Sequence, residues 1–185
     1  GQMLASVGKY GFWNYYMNTG DLETIRNAYP AVKRYLDVWE TDSTGLTVYR
    51  KGGWSWGDWG DNKDRALIQA GWHHLALEGA ACMADALGYD ADAEAFRAKM
   101  AKVAEGFNAC WTGIEYRHPD YDKLTDDRVQ ALAVLAGIAG EDKYPQIIEF
   151  LKKTEHASPY FEKYVMEALF KMGEGEYAME RCSRR

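Results

Sequence analysis

The sequence predicts an all-α chain of stacked αα-hairpins. Apolar residues recur at three- and four-residue steps over long stretches, the spacing of helices with one buried face. A glycine stands at the joint between successive stretches, where a helix C-terminus favours a left-handed residue. Small-residue or aromatic-rich stretches alternate with charged amphipathic ones, as inner helices alternate with outer ones.

The elements follow in order. The first helix is predicted over Met3–Met17, with Tyr10, Phe12, Trp13, Tyr15 and Tyr16 close together and Gly20 as its cap. The second spans Leu22–Trp39 with Leu22, Ile25, Tyr29, Val32, Leu36 and Trp39 on one face; Pro30 is expected to kink or split it. Leu46–Tyr49 alternates like a short strand, and Ile114–Arg117 reads as a second extended piece. Helices are then expected over Arg65–Leu87, stopping at Gly88; Ala91–Trp111; Asp127–Ala139, stopping at Gly140; Tyr144–Lys153; Pro159–Met172, stopping at Gly173; and Glu176–Cys182. Ser158 before Pro159 is the order of an N-cap and a first helical residue. Asp61 or Asp64 and Asp126 are candidate caps for the helices they precede.

At 185 residues the chain is one domain in length, residues 1–185, and its 47% hydrophobic content suits a folded core. A net charge of -6 offers no basic patch for nucleic acid. No apolar run approaches the roughly 20 residues that span a bilayer. Cys82, Cys110 and Cys182 lack metal-site spacing and read as buried free thiols. The adjacent His73 and His74 point to different helix faces and do not chelate one ion together. No metal or cofactor is expected.

Three of the seven tryptophans fall within six residues, in Gly52-Gly53-Trp54-Ser55-Trp56-Gly57-Asp58-Trp59-Gly60-Asp61. Glycines permit tight turns, and indole faces interleaved with carboxylates can stack on a sugar ring and bond its hydroxyls. Trp54, Trp56, Asp58, Trp59 and Asp61 are therefore the candidate substrate-binding residues. The alternative is a turn whose tryptophans fill a core, since large indoles are usually mostly buried. Asp58 is also the one in-chain candidate for a catalytic acid, because a carboxylate beside indoles can have a raised pKa. The acidic segment 117–127 should share a rim with this loop, since both precede inner helices. Its plainer reading is a solvated connector. Glu162, Glu167 and His156 lie on or before the Pro159 helix. The Tyr10–Tyr16 aromatics read as inner-wall packing, with Trp13 near the cavity.

Several stretches together resemble the catalytic helical domain of the α-L-rhamnosidase-like glycoside hydrolases. They are Gly45-Leu46 leading to Gly57-Asp58-Trp59, Ala104–Trp111, Arg128-Val129-Gln130-Ala131-Leu132-Ala133 before Gly137, and Ser158-Pro159-Tyr160 leading to Glu167-Ala168-Leu169. The resemblance implies a toroid of the (α/α)6 type, of which this chain is the later part: about four hairpins, with the short strand and the tryptophan loop. It further implies hydrolysis of a terminal rhamnose-type glycoside with inversion, by two carboxyl groups roughly 6.5–9.5 Å apart. In such enzymes the acid lies in a Glu-Arg/Trp loop that would precede Gly1, and the base in a Thr-Thr-x-Trp-Glu segment that would follow this chain. Trp39-Glu40 is the only Trp-Glu pair here and lacks the threonines.

The expected role is thus a fragment of a glycosidase that contributes part of the sugar-binding wall and is inactive alone. A non-catalytic αα-repeat module that binds carbohydrate or protein is the alternative. A sugar epimerase is a third reading, but the four histidines show no arrangement for it. The expected partners are a carbohydrate and either another copy of the chain or the rest of a parent protein. The apolar faces expected to need such cover are Phe12/Trp13/Tyr16 and Phe161/Val165/Leu169.

Overall fold

The computed structural model describes residues 2–49 and 57–184. Two compact units divide the chain: Gly1–Ser55 with Trp72–Gly106, and Trp56–Gly71 with Phe107–Arg185. Among the described residues the secondary structure is helical, apart from two isolated antiparallel bridges, Thr41 with Thr47 and Trp111 with Tyr116. The expected strand at Leu46–Tyr49 does not form. No described helix is long and apolar enough to cross a membrane.

The first unit opens with α1 (Gln2–Val7), a π-helical turn at Lys9–Trp13 and α2 (Asn14–Thr19), where one helix was expected. Backbone contact explains the break. A Cβ on Gly79 would lie 2.2 Å from the Gly8 carbonyl carbon, and one on Gly8 would lie 2.3 Å from the Ala76 Cα. Two main chains touch here, and a regular helix through Gly8 gives way to a wider turn. The Phe12, Trp13 and Tyr16 side chains are half-buried rather than bare.

Helix α3 (Leu22–Asp37) starts at Asp21, whose side chain accepts from the Thr24 N–H at 3.0 Å. It runs unbroken through Pro30, so the expected split does not occur. Ile25, Tyr29, Val32 and Leu36 are all buried along one face, and that packing holds the turns on both sides of the missing N–H together. Trp39 lies beyond the helix end, buried.

Helix α4 (Arg65–Leu87) begins in the second unit and continues from Trp72 in the first. Its partner α5 (Asp90–Asn108) ends three residues short of Trp111. Arg97 of α5 pairs with Asp85 of α4 on the surface. In the first unit His73 and His74 are both buried. Thr47 Oγ1 lies 2.9 Å from His73 Nδ1, whereas His73 Nε2 and His74 Nδ1 have no hydrogen-bond partner among the described residues. Burial lowers both imidazoles to a pKa of about 4.

The second unit holds α6 (Asp127–Leu135), α7 (Tyr144–Lys153), α8 (Pro159–Lys171) and α9 (Gly175–Arg184). Every residue of α6 is buried, as an inner helix should be, and α6 packs on both α7 and α8. α7 and α9 bury one stripe each (Ile147 and Leu151; Ala178 and Arg181) and face solvent elsewhere. α6 stops before Gly137, at φ 67°, not at Gly140, which has φ -69° and leads into a 3-10 turn at Glu141–Lys143. Phe161, Val165 and Leu169 are fully buried, so the uncovered face expected there does not exist. Of the thiols only Cys110 is buried; Cys82 is half-buried and Cys182 exposed, because the short amphipathic α9 turns Cys182 outward.

Candidate functional site

Three loops of the second unit lead into α4, α6 and α8, and their first residues are tied together by buried charge. Arg128, in the first turn of α6, is completely buried. Its Nε donates to Asp126 Oδ1 at 2.6 Å. Its Nη1 donates to Asp58 Oδ2 at 3.0 Å and to the carbonyls of Trp59 (3.0 Å) and His156 (3.2 Å), while Nη2 donates to the Asn62 carbonyl. A buried guanidinium is tolerable only when its donors are met, and here one group fastens the 57–62 loop to the residues before α8.

Asp58 is fully buried. Besides Arg128, its Oδ2 accepts from the Ser158 N–H at 2.9 Å, and its Oδ1 accepts from the Ser158 hydroxyl. Ser158 therefore occupies the N-cap of α8 without capping through its side chain, because its hydroxyl is committed to Asp58. Lys63 Nζ donates to the Asp58 carbonyl at 2.7 Å, and burial lowers the pKa of that lysine.

The neighbouring carboxylates divide the remaining backbone donors. Asp64 caps α4, accepting from the Leu67 N–H at 3.2 Å, and also accepts from the His118 N–H at 2.7 Å. Asp126 caps α6, accepting from the Arg128 N–H at 3.1 Å, and receives the Asp64 N–H at 2.8 Å. Asp127 Oδ2 accepts from the His156 and Ala157 N–H groups at 3.0 and 3.1 Å and from Arg181 Nη2 at 3.2 Å. Arg181, buried on α9, also pairs with Glu162 of α8 and donates to the Leu151 and Thr154 carbonyls at 2.6 and 2.9 Å.

Acidic groups outnumber the two arginines in this cluster, which explains its electrostatics. Burial pushes Asp126 up to a pKa of about 7 against the pull of Arg128. Burial alone would lower both arginines, but Asp126 and Asp58 around Arg128, and Glu162 and Asp127 around Arg181, hold them above the usual range. Burial also raises Asp64.

Over this buried layer lies a small open surface. Trp59 is 61% exposed and Tyr160, the second residue of α8, is 40% exposed; their ring centroids are 6.4 Å apart at 74°. Asp61 is exposed, and Asn62 Nδ2 stands 3.4 Å from His156 Nδ1 beside them. Gly60, at φ 91°, makes the turn between Trp59 and Asp61 and passes close to the His156 carbonyl. Among the described residues no group of three or more His, Cys, Asp or Glu side chains is placed to hold a metal ion.

Of the sequence-derived candidates, Asp58, Trp59 and Asp61 thus fall on one loop, with Asp58 inside and the other two outside. Trp54 and Trp56 lie outside the described residues. Glu162 is bound to Arg181, and Glu167 is half-buried further along α8. From the sequence, Ser158 was named as an N-cap and Arg128 and Tyr160 only within the stretches that carry the resemblance, none of them as a site residue, and Arg181 was not named. The signal available for Arg128 was its place directly after Asp126-Asp127 in an otherwise apolar helix.

Residues 5–181 match the family model described as the bacterial alpha-L-rhamnosidase 6 hairpin glycosidase domain. The chain belongs to this family. No curated protein matches it by sequence. Among solved structures, the chain is similar to a GH78 family rhamnosidase of Bacillus sp. GL1, with TM-score 0.77 and 25% identity over 93% of this chain and 20% of that one. It is also similar to an α-L-rhamnosidase from Dictyoglumus thermophilum, with TM-score 0.71 and 17% identity over 86% of this chain and 19% of that one. The chain therefore spans about a fifth of the length of those two chains.

Proposed function

We propose that this chain forms part of a glycoside hydrolase resembling the inverting α-L-rhamnosidases, and that it contributes part of the wall that binds the sugar. The observation that carries the reading is Trp59, exposed on a loop fixed from beneath by Asp58 and Arg128, within a chain of the rhamnosidase six-hairpin family. The indole offers an apolar face to a pyranose ring, and Asp61 offers acceptors for its hydroxyls. Asp58 serves this wall from behind: both its oxygens are engaged, so it orients Trp59 rather than trading protons.

The buried carboxylates Asp58, Asp126, Asp127 and Glu162 are each paired with an arginine. Such commitment suits a scaffold, and the reading assigns the catalytic acid and base of the inverting pair to segments of a parent protein outside this chain. The carbohydrate is the substrate, and the rest of the parent is the partner. The test has two arms on the purified 185-residue chain. Titration with methyl α-L-rhamnoside should show binding that Trp59→Ala weakens, and incubation with an aryl α-L-rhamnoside should release no aglycone. Absence of binding overturns the sugar-wall role; aglycone release overturns the assignment of the catalytic pair elsewhere.

A further inference from the structure

We infer that Tyr160 is a second aromatic contact for the sugar, forming with Trp59 a two-walled corner that receives the C–H face of a pyranoside. This rests on the sugar-wall reading above and adds a residue, and a shape, to it.

The geometry supplies the argument. Trp59 comes from a loop and Tyr160 from the first turn of α8, 101 positions apart in sequence. They nonetheless meet with ring centroids 6.4 Å apart and planes at 74°. Both stay substantially exposed, although large aromatics in a packed unit usually sink into it. Tyr160 has such a packed side available: Phe161 and Tyr164 stand 6.3 and 6.0 Å from its ring. Those neighbours stand beside a ring that also meets Trp59 and stays 40% exposed.

The pair is also held to a fixed separation. Asp58, directly before Trp59, bonds Ser158, two residues before Tyr160. Arg128 bonds the Trp59 carbonyl and the His156 carbonyl with the same Nη1. A pair of aromatic walls inclined at 74° fits a chair-shaped ring, whose axial C–H groups lie against one face and whose edge meets the other. Asn62, His156 and Asp61 at the margin supply the polar groups that a hydroxyl-bearing ligand needs and an apolar peptide does not.

The test is a saturation-transfer NMR titration of the 185-residue chain with methyl α-L-rhamnoside, on wild type, Trp59→Ala, Tyr160→Ala, Tyr160→Phe and Tyr160→Leu, with melting temperatures measured alongside. Loss of one aromatic wall should weaken binding roughly three- to tenfold in both alanine variants. Tyr160→Phe should stay within about twofold of wild type, since it keeps the ring. Tyr160→Leu should bind as poorly as Tyr160→Ala, since it restores apolar bulk without a π face. Wild-type affinity in Tyr160→Ala, with Trp59→Ala weakened, overturns the corner and leaves the sugar-wall reading standing. Full recovery in Tyr160→Leu overturns it too, because the loss was then one of packing. No binding by wild type overturns both readings.

Discussion

Ser158 gives both its backbone N–H and its hydroxyl to Asp58, 100 residues earlier in the chain. The N–H bond is 2.9 Å long, and it leaves the carboxylate facing Arg128 at 3.0 Å with no access to water. A residue placed to cap its own helix instead secures a distant loop.

Asp58→Ala should therefore be severe. Breaking this buried pair takes one carboxylate from Arg128, which keeps Asp126, and leaves both Ser158 donors unmet; losses of this kind run about 3–5 kcal/mol. Ser158→Ala removes one charge-assisted hydrogen bond and should cost about 1.5–3 kcal/mol. Urea denaturation of both variants checks the order; equal and small effects, below about 1 kcal/mol, would show the contact to be dispensable.

Arg128→Lys should behave as a disruptive change despite keeping the charge. An ammonium has three donors and no planar fork, so it cannot serve Asp126, Asp58 and three carbonyls together. The expected loss is about 3 kcal/mol or more, with a change in the tryptophan emission as Trp59 loses its fixed backbone. A variant that melts with the wild type would refute the hub role.

Gly79→Ala separates helix propensity from backbone contact. Alanine in a helix interior is favoured by about 1 kcal/mol over glycine, so propensity alone predicts a more stable protein. The 2.2 Å approach to Gly8 predicts the reverse, a loss of about 2 kcal/mol from overpacking. The sign of the change in melting temperature decides between them.

Stability should fall on acidification through His73 and His74. Each has a folded pKa of about 4 against an ordinary 6.5, so between those values the unfolded chain binds more protons than the folded one. Their contribution is present above pH 6.5 and is lost as the pH falls toward 4, up to roughly 3 kcal/mol per histidine. Asp126 acts in the opposite sense, because its folded pKa of about 7 is raised from 3.8 and its share of stability fades as the pH rises through that interval. The histidine share is read by difference: His73→Gln should flatten the acid limb of the stability curve relative to wild type. Parallel curves would mean that His73 is not held neutral.

Most of the helices were legible in the sequence because their periodicity is strong. Arg65–Leu87 and Tyr144–Lys153 carry their predicted bounds to the residue. The differences arise where a distant segment intervenes. The Met3 helix breaks because Gly79 admits the backbone of Gly8, a contact between residues 71 positions apart. The strand signal near Thr47 resolves into a single bridge, and Tyr116 likewise gives both backbone groups to the Gln130 side chain instead of to a neighbouring strand. Asp64 and Asp126 were readable as caps because capping is local. Arg128 and Arg181 were not readable as hubs, because an arginine in sequence carries the expectation of a wet surface, and only the fold brings enough acceptors inward to keep it dry.

The span between Asp58 and Ser158 also has a bearing on biosynthesis. Chains emerge at about 5–20 residues per second, so the loop that carries Trp59 exists for some 5–20 s before its fastening has been made. Arg181, which grips Asp127, arrives later still. The rim is therefore completed only at the close of translation of this segment, and until then its acidic side chains remain hydrated. A ribosome stalled anywhere before Ser158 should display these residues open to proteolysis, even when α4 and α5 have already folded.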